Sequence, residues 1–212
     1  MLFRLSDDLI FPDPSLAEED GLLAIGGDLK PERLLLAYQN GIFPWPVKGQ
    51  PLLWFSPHER FVLFPERLKI STSMQKIIDR NTFEITINKA FGKVISACAM
   101  VRRKNQKGTW ITTAMNKAYH ELNHMGHAIS IESWKDGELA GGLYGVMCGK
   151  VFCGESMFSL LPNASKAAFI HLVNQHHFLL IDCQVHTAHL ESLGAEMISQ
   201  RQYLDYLNQW SG

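Results

Sequence analysis

Apolar residues broken by glycine run through positions 139–147 and again through 150–158, with Cys148-Gly149 between them, and this pattern predicts a β-hairpin near the middle of the chain. Helical spacing brackets the hairpin. Pro31 opens a stretch with apolar Leu34, Leu35, Ala37 and Tyr38 that closes at Asn40-Gly41, the signature of a helix with proline in its first turn. Ser71 caps a second predicted helix running to position 80, and residues 90–101, 113–125 and 163–176 repeat the helical spacing. The alternating stretch FEITI (83–87), residues 128–134 and residues 178–183 read as strands, Lys135-Asp136-Gly137 as a hairpin turn, and residues 187–193 as a short helix ending at Gly194.

The first third of the chain follows other rules. Residues 1–30 are rich in Pro, Asp and Gly, with one short apolar run at 22–25 before Gly26-Gly27-Asp28. Residues 41–65 carry five prolines among the aromatics Phe43, Trp45, Trp54 and Phe55, too much proline for a central strand, so only short strands at 52–55 and 60–64 are expected. Pro65 marks the expected boundary of a small N-terminal domain. From Ser71 onward, strands and helices alternate around one antiparallel-rich sheet, an α+β pattern.

Composition narrows the functional classes. With 46% hydrophobic residues in 212, the chain buries a substantial core, and a formal charge of -1 means that any nucleic-acid surface is local. The dense basic cluster is Arg102-Arg103-Lys104-Asn105-Gln106-Lys107, either a phosphate contact or a solvated loop. Cys98, Cys148, Cys153 and Cys183 form no C-x-x-C pair and lie in apolar runs, as reduced buried thiols do. The acids and prolines of MLFRLSDDLIFPDP do not suit a signal peptide, and no stretch of about 18 apolar residues occurs, so a soluble cytoplasmic protein is expected.

Three features suggest chemistry. Glu155 stands in a run of Cys, Gly, Ser, Met and Phe; it is either exposed on a strand edge or buried with a partner, because an unpaired buried charge is costly. Asp182 and Gln184 lie two apart on a predicted strand and therefore share a face, either as a site or as a solvated strand end. His120-Glu121-Leu122-Asn123-His124 is a literal H-E-x-x-H on a helix, the spacing that places two imidazoles on one face around zinc. That motif is short, lacks an evident third ligand, and equally describes an amphipathic helix with Tyr119, Leu122 and Met125 inward.

The strings GLLAIGGDL, AYQNGIFPWP, LWFSPHERFVL, GTWIT, GGLYGV, FCGESMFS, NASKAA and LIDCQV, in this order, resemble the leucyl/phenylalanyl-tRNA-protein transferase family over nearly the whole chain. The resemblance implies a small N-terminal domain, residues 1–64, followed by a GNAT-like domain (acyl-CoA N-acyltransferase superfamily), residues 65–212. It also implies an aminoacyltransferase that moves Leu or Phe, and less well Met, from aminoacyl-tRNA to the N-terminal Arg or Lys of acceptor proteins, marking them for degradation. Because the tRNA ester is already activated, no ATP, CoA, metal or other cofactor is expected, and positioning is the main task. A monomer with no membrane partner is expected. By the same resemblance Asp182 and Gln184 are catalytic, Glu155 receives the acceptor's cationic side chain, and Leu143, Met157 and Ile181 line the aminoacyl side-chain pocket. Trp45 and Trp110 meet the terminal adenosine of the tRNA, with Tyr38 and Tyr119 as weaker candidates there. A carboxamide is a poor base, so Gln184 is expected to accept a hydrogen bond from the amine while Asp182 fixes its amide. Two other classes stand beside this one. A zinc peptidase would need bound metal, and an ordinary acyl-CoA acetyltransferase would need a glycine-rich pyrophosphate loop that the sequence lacks.

Overall fold

The computed structural model describes residues 2–47, 49–101 and 111–209, and in it the chain forms two sheets of unequal size. The smaller holds β1 (Phe3–Leu5), β2 (Leu22–Gly26), β3 (Phe43–Trp45) and β4 (Leu53–Phe55) in the order β1-β2-β4-β3, with α1 (Pro31–Gln39) between β2 and β3. Fully buried Trp54 stands at its centre and donates its indole N–H to the Gly26 carbonyl at 2.8 Å. β3 contains Pro44 and was not foreseen as a strand. It pairs on one side only, with β4, and at an edge a missing N–H breaks no ladder.

The larger sheet runs β11-β5-β10-β9-β8-β7-β6 and gives the α+β architecture expected from the sequence. Its strands are β5 (Glu59–Leu63), β6 (Glu84–Ile87), β7 (Ala128–Lys135), β8 (Glu138–Cys148), β9 (Val151–Ser159), β10 (Leu180–Gln184) and β11 (Glu196–Ser199). β5 belongs to this sheet, so the passage from one sheet to the other comes between Phe55 and Glu59, a few residues before Pro65. The central hairpin is β8–β9, turning at Gly149 with φ +58°.

The helices follow their capping residues. Ser71 accepts from the Met74 N–H at the start of α2 (Thr72–Asp79), and Thr112 from the Met115 N–H at the start of α4 (Thr113–His124). α3 (Phe91–Met100) and α4 pack on the hairpin sheet, and α5 (Ala164–Gln175) packs on β7 and β8 through Ala168 and Leu172. After the short α6 (Ala188–Ser192), the chain adds α7 (Gln200–Asn208), unforeseen together with β11 although Ser199 and Gln202 form a capping box.

Candidate active site

Two irregularities in adjacent strands make the site. β9 and β10 are parallel neighbours whose pairing stops at Cys153–Asp182. Immediately beyond, the β8–β9 register passes from Tyr144–Ser156 to Gly145–Gly154, which leaves Glu155 as the extra residue of a β-bulge. Gly145 permits that bulge: a Cβ there would lie 2.3 Å from the Cys153 carbonyl oxygen. In β10 the register against β5 shifts in the same way between Asp182 and Gln184, and Gln184 takes φ +58°. The strands part where their bulges re-aim the side chains, and a cavity of about 620 Å³ opens there.

The floor of the cavity is apolar and includes Leu143, Met157 and Ile181, all three foreseen as pocket residues. Trp45 enters from β3 of the smaller sheet, and Glu155, Asp182 and Gln184 form the polar wall. Cys183 also lines it, and burial, followed by the charge of Asp182, pushes its thiol well above the ordinary range.

Glu155 is buried, 9% exposed. Its Oε1 accepts from the Tyr38 hydroxyl and from the Gln184 amide Nε2, each at 2.8 Å, and its Oε2 accepts from the Tyr119 hydroxyl at 2.8 Å. The two tyrosine hydroxyls are 2.5 Å apart. Burial, followed by the charge of Glu155, raises both phenol pKa values well above 10, so the tyrosines act as neutral donors. Burial also drives the Glu155 carboxyl up to about 7, against the three hydrogen bonds that favour its ionised form. Among the described residues no cation pairs with it.

Asp182 is fully buried and differently served. Arg60 of β5 forms an ion pair with its Oδ2, the Tyr203 hydroxyl of α7 donates to the same oxygen at 2.9 Å, and Oδ1 accepts the Gln184 main-chain N–H at 2.8 Å. Arg60 also donates to the Gly41 carbonyl at 3.0 Å and lies 4.4 Å over the Tyr203 ring. Asp182 therefore fixes the backbone of Gln184, while Glu155 holds its side-chain amide; the expectation that Asp182 holds the amide is corrected. Arg60 and Tyr203 were missed, although a lone arginine in the apolar run RFVLF already required a buried partner.

Tyr38 and Tyr119, expected beside the adenosine, are instead buried with their hydroxyls on Glu155, which leaves no ring face for a base. Trp110 and the basic cluster 102–107 lie outside the described residues. In the H-E-x-x-H stretch His120 packs edge-on against Phe91 at 5.3 Å, and no group of three His, Cys, Asp or Glu among the described residues is placed to hold a metal ion. Nor is any described helix long and apolar enough to cross a membrane.

Residues 62–208 match the family model described as leucyl/phenylalanyl-tRNA protein transferase, and residues 27–58 match that of its N-terminal domain. A protein of Syntrophobacter fumaroxidans named leucyl/phenylalanyl-tRNA--protein transferase is 54% identical over 209 residues, covering 97% of this chain and 89% of its own. One of the same name from Flavobacterium johnsoniae is 51% identical over 97% of this chain and 99% of its own, and one from Escherichia coli O81 is 53% identical over 95% and 87%. Similar solved structures are remote: L-PGS from Bacillus licheniformis, at a TM-score of 0.43, 11% identity and coverage of 78% of this chain and 54% of that one, and a GCN5-related N-acetyltransferase-like protein from Streptococcus suis, at 0.37, 12%, 75% and 60%.

Proposed function

The chain belongs to the leucyl/phenylalanyl-tRNA protein transferase family, and on that premise we propose that it moves Leu or Phe, and less well Met, from aminoacyl-tRNA to the N-terminal Arg or Lys of acceptor proteins. The modified proteins would carry a degradation signal at their new N-terminus. The observation that carries this reading is the single cavity that joins the apolar floor of Leu143, Met157 and Ile181 to a wall holding Glu155 and Gln184. The aminoacyl side chain lies on the floor, where the flexible thioether of Met157 adapts to both Leu and Phe. Trp45, and Trp110 by its place in the sequence, meet the terminal adenosine.

The acceptor's first side chain, guanidinium or ammonium, pairs with Glu155. Its α-amine, with an ordinary pKa of about 7.7 to 8.0, supplies enough neutral form near neutrality without a strong base. The amine nitrogen attacks the ester carbonyl carbon, the bond from that carbon to the ribose oxygen breaks, and the proton lost by the amine ends on the ribose hydroxyl that leaves. Gln184 takes a hydrogen bond from the amine and directs its lone pair. No ATP, metal or cofactor has a part in these steps.

The test is transfer of labelled Phe from Phe-tRNA to two peptides that differ only in an N-terminal Arg or Ala, with EDTA present. Transfer to the Arg peptide alone is expected; no transfer to either would overturn the reading.

A further inference from the structure

Gln184 is held at both ends by different carboxylates, and the two attachments do different work. Its main-chain N–H is fixed by Asp182 and its side-chain Nε2 by Glu155. An ionised carboxylate accepts hydrogen bonds only, so the end of the amide that meets Glu155 must be the nitrogen. Among the described residues the Gln184 amide oxygen takes no hydrogen bond, and the side chain lines the cavity. A half-turn of the amide would aim oxygen at oxygen and expose the nitrogen, a donor, to an amine that needs an acceptor.

Resting on the function proposed above, we infer that Glu155 is also a positioning residue: it sets the direction of the Gln184 amide, so that recognition of the acceptor's first side chain and alignment of its amine pass through one carboxyl group. Glu155 is suited to both tasks because its partners are neutral. Tyr38 of α1 and Tyr119 of α4 hold the carboxyl in place without cancelling its charge; among the described residues Tyr144 of β8 and Asp182 of β10 also act on this cluster, and Cys183 and His189 line the same cavity. Its Oε1 takes two hydrogen bonds and its Oε2 one, which leaves Oε2 a lone pair for an incoming cation. A cation there keeps the carboxyl ionised and strengthens its hold on the Gln184 amide. A neutral first residue leaves a carboxyl with a pKa near neutrality to protonate, and a protonated Glu155 that donates through Oε1 would turn the amide around. Discrimination between acceptors is then expressed in turnover as well as in binding.

Two variants separate the roles. Glu155→Gln removes the charge but keeps an oxygen that accepts from Gln184, and Glu155→Met, of similar length, removes both. With the Arg peptide at saturation, the Met variant is expected to turn over about tenfold to a hundredfold more slowly than the Gln variant, the loss of one hydrogen bond to a carbonyl or carboxylate oxygen at an aligned group. In a Gln184→Ala background that gap should vanish. Equal turnover of the two variants, or a gap that survives removal of Gln184, would overturn the inference. A second reading needs no transfer activity and so stands apart from the proposed function. The side-chain amide resonances of Gln184, assigned by difference from Gln184→Ala, should be shifted and slow to exchange in the parent protein and move to solvent-like positions in Glu155→Met. Unmoved resonances would overturn the inference whatever the enzyme transfers.

Discussion

Two carboxylates buried within one cavity wall, Asp182 and Glu155, have opposite surroundings. Asp182 is given its own cation, Arg60, and a hydroxyl from Tyr203, so its charge is settled within the protein. Glu155 receives three hydrogen bonds from uncharged groups, and burial lifts its carboxyl to about 7. A third buried carboxylate, Glu132, also lacks an arginine or lysine among the described residues. It accepts from the hydroxyls of Thr86 and Ser130 and the main-chain N–H groups of Lys89 and Ala90 just ahead of α3, so a helix N-terminus supplies its positive end. Among the described residues Glu155 has neither a cation nor a helix end. On the proposed function its compensation comes through the cavity, from the cationic first side chain of the acceptor.

The contrast can be broken most severely at Asp182. Asp182→Asn leaves Arg60 buried without its counter-charge, and a loss of about 3 to 5 kcal/mol in unfolding free energy is expected from denaturant titration. A loss under about 1 kcal/mol would place the pair among those that water screens. Glu155→Gln should behave in the opposite way. The folded carboxyl, at about 7 against 4.5 ordinarily, holds its proton more tightly than the unfolded one. Its contribution to stability is therefore full below pH 4.5 and is lost as pH rises to 7, a change of about 3 kcal/mol at roughly 1.36 kcal/mol per pH unit. Relative to the parent protein, Glu155→Gln should gain about that much between pH 4.5 and pH 8, and a difference independent of pH would contradict the assigned environment.

Smaller effects sharpen the division. Trp45 lines the cavity and, on the proposed function, meets the terminal adenosine, so Trp45→Ala should cost about 1 to 3 kcal/mol in aminoacyl-tRNA binding, read as KM with either acceptor peptide. Tyr119→Phe removes a hydrogen bond that favours the ionised carboxyl, so the pKa of Glu155 should move higher. Use of the Arg peptide should then fall several-fold near pH 7 and recover as pH rises; a parallel loss at every pH would show that the hydroxyl serves packing alone.

Most helices were legible because their signals are local: Pro31 and Ser71 mark two starts, and the apolar spacing marks the rest. The hairpin was legible from its glycines. The strand at Phe43–Trp45 was obscured because proline rules out a central strand and the sequence does not say which strands lie at an edge. β11 is short with exposed positions, so its alternation carries no signal, and the Ser199–Gln202 capping box after it was overlooked. At the site, Glu155 stood out as a charge in an apolar run. Its neighbours did not, because Tyr38, Tyr119 and Gln184 come from 117, 36 and 29 positions away. The reading of Asp182 and Gln184 as one regular face assumed unbroken alternation. The bulge between them is what allows Asp182 to bond a backbone N–H while the Gln184 side chain reaches the neighbouring strand.

On the proposed function, Glu155 carries a charge that the acceptor satisfies and that no cation among the described residues does. The most direct measurement compares Phe transfer to two peptides that begin with arginine or with citrulline, which keeps the planar end group and loses the charge. Near pH 8, where Glu155 is ionised in the free protein, kcat/KM for the citrulline peptide should be lower by about a hundredfold or more. Values within about threefold of each other would mean that shape and hydrogen bonding select the acceptor, and that the buried carboxylate is not the reason arginine is preferred.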